Sequence, residues 1–332
     1  MNNLTDITFS LDYAAAFGYT EEELETNFSE YIDAYMSEDD REYEKREDFM
    51  TAVRDYYDGY RFSPDSQSKV YNPVSIGFFF KEGCRFRSYW INTGASTLVI
   101  NLAKTYKLSR LITDDVNLGI NSINTFDYSL MAEEKLLDSQ VLALLFFTGY
   151  LTIKDGNYDF LTLTFPNTEV RKSFTQNLFE SFSGIDLSVF AFRGVQAVRA
   201  GDIEEIVKVL NAYIKEMQYD GLDKAEKGYQ EIFIGFFLMI GGVRASVEDS
   251  SLLGRSDVVV ERRRDVYIIE MKVDLTADEA VTQIKKNGYY FRYINTDKTI
   301  HIIGMNFISA EKQVDGWKEE IVDKTKEPSY LG

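Results

Sequence analysis

The segment from Val266 to Val273 has the pattern of a buried strand, yet it carries two charged side chains. Glu270 and Lys272 are two residues apart, so a strand points both of them to the same face. Burying a carboxylate and an ammonium is unfavourable unless they are paired or serve a site. This segment therefore favours a fold in which a polar site lies on an apolar sheet.

The segments around this strand predict a regular succession of helices and strands. A long apolar helix precedes it, and Thr276 provides the N-cap of a helix that follows it. The predicted elements, in chain order, are a helix over 224–240, strands over 243–247, 257–261 and 266–272, a helix over 277–293 and a strand over 299–305. The last third of the chain is thus predicted to fold as α-β-β-β-α-β.

Asp257 supplies a second carboxylate at the start of the buried run Val258–Val260. Two carboxylates from adjacent strands can hold a hard divalent cation such as Mg²⁺. That cation can polarise a phosphodiester and lower the pKa of a bound water, and Lys272 beside it can stabilise developing negative charge. The alternative is a salt-bridged pair of strands without catalytic chemistry.

Upstream of this region the pattern changes twice. Residues 1–130 are predicted to be mainly helical, with Thr20 as an N-cap, Pro73 at a helix entry and aromatic segments that form core. Residues 131–183 predict a helix, a β-hairpin around Asp155–Asn157 and a second helix, which is typical of a winged-helix module. Residues 184–220 predict a helical connector, and 221–332 the C-terminal domain. The predicted fold class is α+β with several domains.

Composition excludes several kinds of site. The chain has one cysteine, Cys84, and one histidine, His301, so disulfide frameworks, cysteine zinc sites and multi-histidine metal sites are excluded. His301 lies in the strand-like run Thr299–Gly304, where a half-buried structural role is expected. No apolar run approaches the roughly 20 residues of a membrane span, and the N-terminus has no secretory signal pattern. A cytoplasmic protein without a membrane partner is expected.

Charge is distributed unevenly along the chain. The net charge is −18, and residues 1–220 hold 20 Lys and Arg against 35 Asp and Glu, which leaves −3 for the remainder. A nucleic-acid surface therefore belongs in the last third. Arg262, Arg263 and Arg264 form one basic cluster there, and Lys285 and Lys286 a second. Two roles are equally compatible with the arginine cluster: its residues are solvated in a turn, or they contact phosphates.

The spacing of these polar residues resembles the PD-(D/E)XK nuclease superfamily. Ser256-Asp257 is followed after 12 residues by Glu270-Met-Lys272, with Gln283-Ile284 on the next predicted helix. Five upstream segments, with Gly304–Phe307, further resemble one subgroup, the nuclease-like domain of predicted AAA-ATPase-like proteins of bacteria. The upstream segments are Leu4–Ile7, Tyr57–Tyr60, Val70–Pro73, Tyr89–Asn92 and Leu145–Ile153.

The resemblance implies a restriction-endonuclease-like fold and a role for each matching residue. Asp257 and Glu270 would be ligands of Mg²⁺ or Mn²⁺, Lys272 the catalytic lysine, and Gln283 an accessory polar residue. A glutamate from the first helix would assist them, for which Glu226 is the choice. Glu231 is the alternative.

One departure from the subgroup concerns its ATPase core. A P-loop requires a Gly-Lys dipeptide, and this sequence contains none. Neither a bound nucleotide nor ATP hydrolysis by this chain alone is therefore expected, and the chain is interpreted as a truncated paralogue or a fragment. A separate ATPase or another protein would then dock on residues 1–220.

Two functions are consistent with the sequence. The first is metal-dependent hydrolysis of phosphodiester bonds in nucleic acid, with DNA favoured over RNA. The second is a catalytically silent nuclease fold that serves as a binding or regulatory module for an ATPase or another protein. Metal binding that depends on Asp257 and Glu270 would distinguish them.

Overall fold

The computed structural model describes residues 6–90, 96–112, 114–124, 136–217, 226–240, 245–246, 258–262 and 264–325. The chain divides into two compact units, Met1–Asn177 and Leu178–Gly332. The domain boundaries expected at residues 130, 183 and 220 stay predictions.

The first unit is mainly helical, as predicted. Its helices are α1 (Glu21–Asn27), α2 (Ser29–Met36), α3 (Arg46–Tyr57), α4 (Pro73–Lys81), α5 (Ser96–Thr105), α6 (Ile120–Asn124), α7 (Asp138–Phe147) and α8 (Thr168–Ser183), the last of which continues into the second unit.

Local sequence explains where two of these helices begin. Thr20 and Glu23 form a reciprocal capping box at α1, which satisfies backbone amides that have no partner within the helix. Asn72 caps α4 by accepting from the amides of Val74 and Ser75, and Pro73 occupies the first turn. Both helix starts were predicted.

A three-stranded antiparallel sheet completes the first unit. Its strands are β1 (Val116–Gly119), β2 (Thr152–Gly156) and β3 (Phe160–Thr164), in the order β1-β3-β2. The predicted hairpin is β2 and β3, between α7 and α8. The sequence did not indicate β1, which has only four residues. The winged-helix module stays a prediction.

The aromatic segments of this unit are largely core, as expected. Tyr57, Phe49 and Phe79 are fully buried, and the rings of Tyr57 and Phe79 lie 5.2 Å apart. A buried carboxylate, Glu169 on α8, also lies in this core. Its oxygens accept from the amides of Tyr89 at 2.5 Å and Trp90 at 2.8 Å, and from the Ser75 hydroxyl at 2.7 Å.

The second unit packs helices against a five-stranded sheet. Its helices are α9 (Ser188–Ala200), α10 (Ile203–Glu216), α11 (Glu226–Ile240) and α12 (Ala277–Asn287). Its strands are β4 (Ala245–Ser246), β5 (Val258–Glu261), β6 (Asp265–Val273), β7 (Thr299–Ile308) and β8 (Gln313–Ile321). The strands lie in chain order across the sheet, and β6 and β7 are parallel while the other neighbours are antiparallel. None of the helices in the described ranges is long and apolar enough to cross a membrane.

The predicted α-β-β-β-α-β order is present as α11, β4, β5, β6, α12 and β7, with two differences. The strand β8 was not predicted, although it pairs with β7 along nearly its whole length. The helix α12 ends at Asn287 and not at Tyr293. Gly288 caps it in the left-handed conformation, at φ 63°, and a short 3₁₀ helix follows at Phe291–Tyr293.

A glycine in β7 allows α12 to lie against the sheet. A Cβ on Gly304 would lie 2.1 Å from the carbonyl oxygen of Ala277 and 2.9 Å from the Cβ of Ala280. Both contacts are well inside van der Waals distance, so only glycine permits this approach. The helix therefore passes directly over β7 at the level of Glu270, which is the register partner of Gly304.

Candidate active site

Glu270 and Lys272 lie together in the carboxyl-terminal half of β6. Glu270 is 2% exposed, and the side chain of Lys272 is 20% exposed. The Lys272 Nζ lies 3.1 Å from Oε1 of Glu270. The prediction that these side chains share one face of a strand is confirmed. Because strand residues two apart point the same way, the pair sits on the face that α12 covers.

Gln283 of α12 completes this group of polar side chains. Its Nε2 donates to the same Glu270 oxygen, Oε1, at 2.7 Å. The close approach of α12 at Gly304 makes this reach possible, since Gly304 is the β7 neighbour of Glu270. The sequence signal for this arrangement was a glycine inside the apolar strand Ile300–Met305, which is typical of a close backbone approach.

The donor chemistry of this site fits a hard divalent cation. Glu270 offers a buried carboxylate, and Mg²⁺ and Mn²⁺ prefer oxygen ligands. The second predicted ligand, Asp257, lies outside the described residues. It is the next residue in the sequence before Val258, which pairs with Ile269, the neighbour of Glu270. Within the described ranges, no group of three or more His, Cys, Asp and Glu side chains could hold a metal ion.

The first-helix glutamate is predicted on α11. Glu226 begins this helix, but its side chain lies outside the part of the chain that is described. The alternative, Glu231, is 3% exposed and therefore also a buried carboxylate. The ring of Tyr229 lies 4.5 Å from that of Phe307, so α11 packs on β7. The assignment of Glu226 or Glu231 stays a prediction.

The arginine cluster lies at the other end of β6. Arg262 donates to the carbonyl of Val198, and its amide donates to the carbonyl of Asp265 at 2.7 Å. Arg264 is exposed, and Arg263 lies outside the described residues. Asp265 and Glu270 are five positions apart along the strand, which corresponds to about 16 Å. The structure therefore does not bring Arg262 or Arg264 to Glu270, and phosphate contact by the arginine cluster stays a prediction.

The second basic cluster lies on α12, two and three residues beyond Gln283. Lys285 forms an ion pair with Glu320 of β8, and Lys318 contacts both Glu320 at 3.3 Å and Asp278 at 2.5 Å. Lys286 is exposed. The carboxylates of this network neutralise part of the positive charge that the sequence indicated. Nucleic-acid binding by Lys285 and Lys286 stays a prediction.

His301 lies apart from this group of residues. It is in β7, as predicted, and its register partner in β6 is Tyr267, three residues before Glu270. Its Nδ1 lies 2.6 Å from Glu319, and its ring stacks on Tyr267 at 4.6 Å. The side chain is therefore a half-buried strand residue that contacts a carboxylate and an aromatic ring.

Comparison with known proteins identifies the domain that carries this site. Residues 224–317 match the model of the PD-(D/E)XK nuclease superfamily. This range contains Glu270, Lys272 and Gln283. The second unit therefore includes a PD-(D/E)XK nuclease superfamily domain, its sheet is compatible with a nuclease fold, and the match supports a nuclease-type function in general.

A curated relative resembles most of the chain. It is an uncharacterized protein in the vnfD 5′ region of Azotobacter chroococcum mcd 1, 27% identical over 338 residues. The alignment covers 96% of this chain and 60% of the relative, so the chain spans about 60% of the length of the curated protein that it matches. No solved structure matches the chain. The AAA-ATPase-like resemblance of the first unit stays a prediction.

Proposed function

We propose that this chain hydrolyses phosphodiester bonds in nucleic acid, with DNA preferred to RNA, at a metal-dependent site around Glu270. The proposal rests on one observation. Lys272 and Gln283 both contact the same oxygen, Oε1, of the buried Glu270 carboxylate. This arrangement lies inside the range that matches the PD-(D/E)XK superfamily. A buried carboxylate of this kind is unfavourable to maintain unless it has a function or a compensating partner.

Glu270 and Asp257 would hold Mg²⁺ or Mn²⁺. When bound, the metal would polarise the phosphodiester and lower the pKa of a coordinated water. Gln283 fixes one Glu270 oxygen by its hydrogen bond, which restricts the rotation of the carboxylate. Glu226, or Glu231 in its place, would add negative charge from α11.

Lys272 would act on the phosphate. Its ammonium lies beside Glu270 and is partly exposed, so it can meet a ligand that reaches this edge of the sheet. A fixed positive charge there stabilises negative charge that develops on the phosphate oxygens, or orients the attacking water. Arg262, Arg263, Arg264, Lys285 and Lys286 would contact backbone phosphates farther from the cleaved bond.

Cleavage assays with matched variants test this proposal. The parent chain is expected to cut single- or double-stranded DNA in Mn²⁺ or Mg²⁺, and Lys272→Ala to lower the rate at least about 100-fold, the scale of one lost electrostatic contact. Glu270→Gln is expected to abolish cleavage and to weaken Mn²⁺ binding at least about 10-fold. Glu311→Gln, an exposed turn residue, serves as the control and should cut as the parent does. Cleavage that survives in Lys272→Ala would contradict the proposal.

The second candidate function is a silent nuclease fold that binds a separate ATPase or another protein through residues 1–220. One observation favours it. The net charge of residues 221–332 is −3, and both Arg262 and Lys285 make contacts within the chain. Such a surface attracts nucleic acid weakly. A parent chain that neither cuts nucleic acid nor binds Mn²⁺ would favour this second function.

A further inference from the structure

The first unit contains a cleft that the proposed nuclease site does not use. Its volume is about 540 Å³, and residues from distant parts of the first 152 positions line it. They include members of all five upstream segments that carry the family resemblance, namely Ile7, Tyr60, Val70–Asn72, Trp90 and Phe146–Gly149 with Leu151 and Thr152. Segments that are separate in the sequence therefore meet around one space of the size typical for small-ligand sites.

The walls of the cleft are mostly aromatic. Among the 17 described residues that line it, eight are Phe, Tyr or Trp. Tyr60 and Tyr71 are buried and form the inner wall, whereas Tyr13 and Phe17 are 49% and 70% exposed and lie at its opening. Aromatic faces carry negative electrostatic potential and attract cations within about 6 Å of the ring centre.

The inner wall is held in place by tertiary contacts. The Tyr60 hydroxyl donates to the carbonyl of Gly149 at 3.1 Å. Gly149 adopts φ 78°, a left-handed conformation that favours glycine. A Cβ at this position would lie 3.6 Å from both the Trp90 ring and the Tyr60 ring. The Trp90 ring packs edge-on against Tyr150 at 4.7 Å. The aromatic rings are therefore positioned before any ligand arrives, which reduces the entropy lost on binding.

The charge of the cleft has one sign. Asp6 is the single charged residue among the described residues that line it, and none of them is Lys, Arg or His. Two hydrogen bonds from Thr8, at 2.6 and 2.9 Å, lower the pKa of Asp6, so its carboxylate is ionised at neutral pH. Behind the wall, the Tyr71 hydroxyl donates to Glu21. Residues 1–60 hold 17 Asp and Glu against 4 Lys and Arg. This surrounding charge opposes phosphates and carboxylates and favours cations.

We propose that this cleft binds an organic cation, that is, an alkylated ammonium group on an apolar body. The cation enters between Tyr13 and Phe17, lies against the inner aromatic wall and is balanced by Asp6. Two sources carry this chemistry, a free quaternary amine and the modified lysine side chain of a protein. A nucleotide is disfavoured by the absence of cationic side chains among the described lining residues.

Intrinsic fluorescence provides a direct test, because the chain has only two tryptophans, Trp90 and Trp317. Trp317 lies on β8 of the second unit, so full-length Trp317→Phe leaves Trp90 in the cleft as the only indole. Choline is titrated as the cationic probe, and 3,3-dimethylbutanol as its neutral counterpart of the same shape. Choline is expected to change the Trp90 fluorescence until the change saturates. The alcohol is expected to bind with at least about 10-fold lower affinity.

Two pairs of variants in this background assign the effect to the cleft. Phe17→Leu and Asp6→Asn are both exposed changes and are expected to weaken choline binding about 3- to 10-fold each. The matched controls Phe160→Leu and Asp12→Asn alter exposed residues that do not line the cleft, and should leave binding unchanged.

A peptide that carries one trimethyllysine distinguishes the two sources. Binding of the peptide at least about 10-fold tighter than choline supports a protein side chain, and equal or weaker binding supports a free amine. The proposal is overturned if choline and the alcohol bind with equal affinity. It is also overturned if neither choline nor the peptide gives a saturable change in Trp90 fluorescence below about 10 mM. Equal weakening by the control variants would also overturn it.

Discussion

Substitution of Gly304 by alanine tests the packing that brings Gln283 to Glu270. The added Cβ would meet the Ala277 carbonyl oxygen at 2.1 Å and the Val281 amide nitrogen at 2.9 Å. Because these atoms are helix backbone, α12 must move away from β7 by about 1 Å or more to restore normal contacts near 3.5 Å. Overpacking of this kind costs about 3 kcal/mol, and the lower entropy of the unfolded alanine chain offsets up to about 1 kcal/mol. The expected net loss is about 2 kcal/mol.

Calorimetric unfolding of the full chain measures this loss. For a unit of this size, about 2 kcal/mol lowers the melting temperature of the second unit by roughly 4–8 °C. Gly77→Ala on α4 is the matched control, because a Cβ there meets nothing within 4 Å. It should leave stability unchanged or raise it by up to about 1 kcal/mol. Nucleic-acid cleavage is also expected to fall in Gly304→Ala, since Gln283 leaves Glu270. The reasoning fails if Gly304→Ala behaves as Gly77→Ala does.

Two further predictions concern local interactions. Burial raises the pKa of Glu169 from near 4.5 to about 7, so the folded state holds this proton more tightly, and the resulting stability is lost as pH rises from 4.5 through 7. Between pH 4.5 and 8, the unfolding free energy of Glu169→Gln should therefore rise relative to the parent by about 3 kcal/mol, and urea titrations at both pH values check this. Thr276→Ala removes the capping box with Glu279 at α12. The same titrations should show a loss of about 1 kcal/mol in the unfolding free energy. An unchanged unfolding free energy would contradict the role of the cap.

The order of elements in the second unit followed from the sequence because its apolar strands and capped helices have strong local patterns. The strand β8 did not, because Lys318, Glu319 and Glu320 are consecutive charged residues and Gly316 interrupts it. Its pairing with β7 is a tertiary interaction that compensates for a weak local preference. The end of α12 likewise depends on the left-handed conformation of Gly288.

The candidate site was predictable only in part. The spacing of Glu270 and Lys272 fixed their common face, because the side-chain period of a strand is two. The contact of Gln283 with Glu270 depends on the helix approach at Gly304. A glycine in a strand indicates a close backbone approach, but not which side chain that approach brings to Glu270. The aromatic segments of the first unit were predicted as core. Their meeting around a cleft could not be predicted, since it requires contacts between residues as distant as Ile7 and Thr152.

Titration of Mn²⁺ into the parent, Glu270→Gln and Lys272→Ala chains tests the central claim most directly. We expect the parent to bind Mn²⁺, Glu270→Gln to bind at least about 10-fold more weakly, and Lys272→Ala to bind as well as the parent or more tightly. Removal of the lysine takes away a positive charge beside the carboxylate, which accounts for the last expectation. Equal Mn²⁺ affinity of the parent and Glu270→Gln would contradict the assignment of Glu270 as a metal ligand.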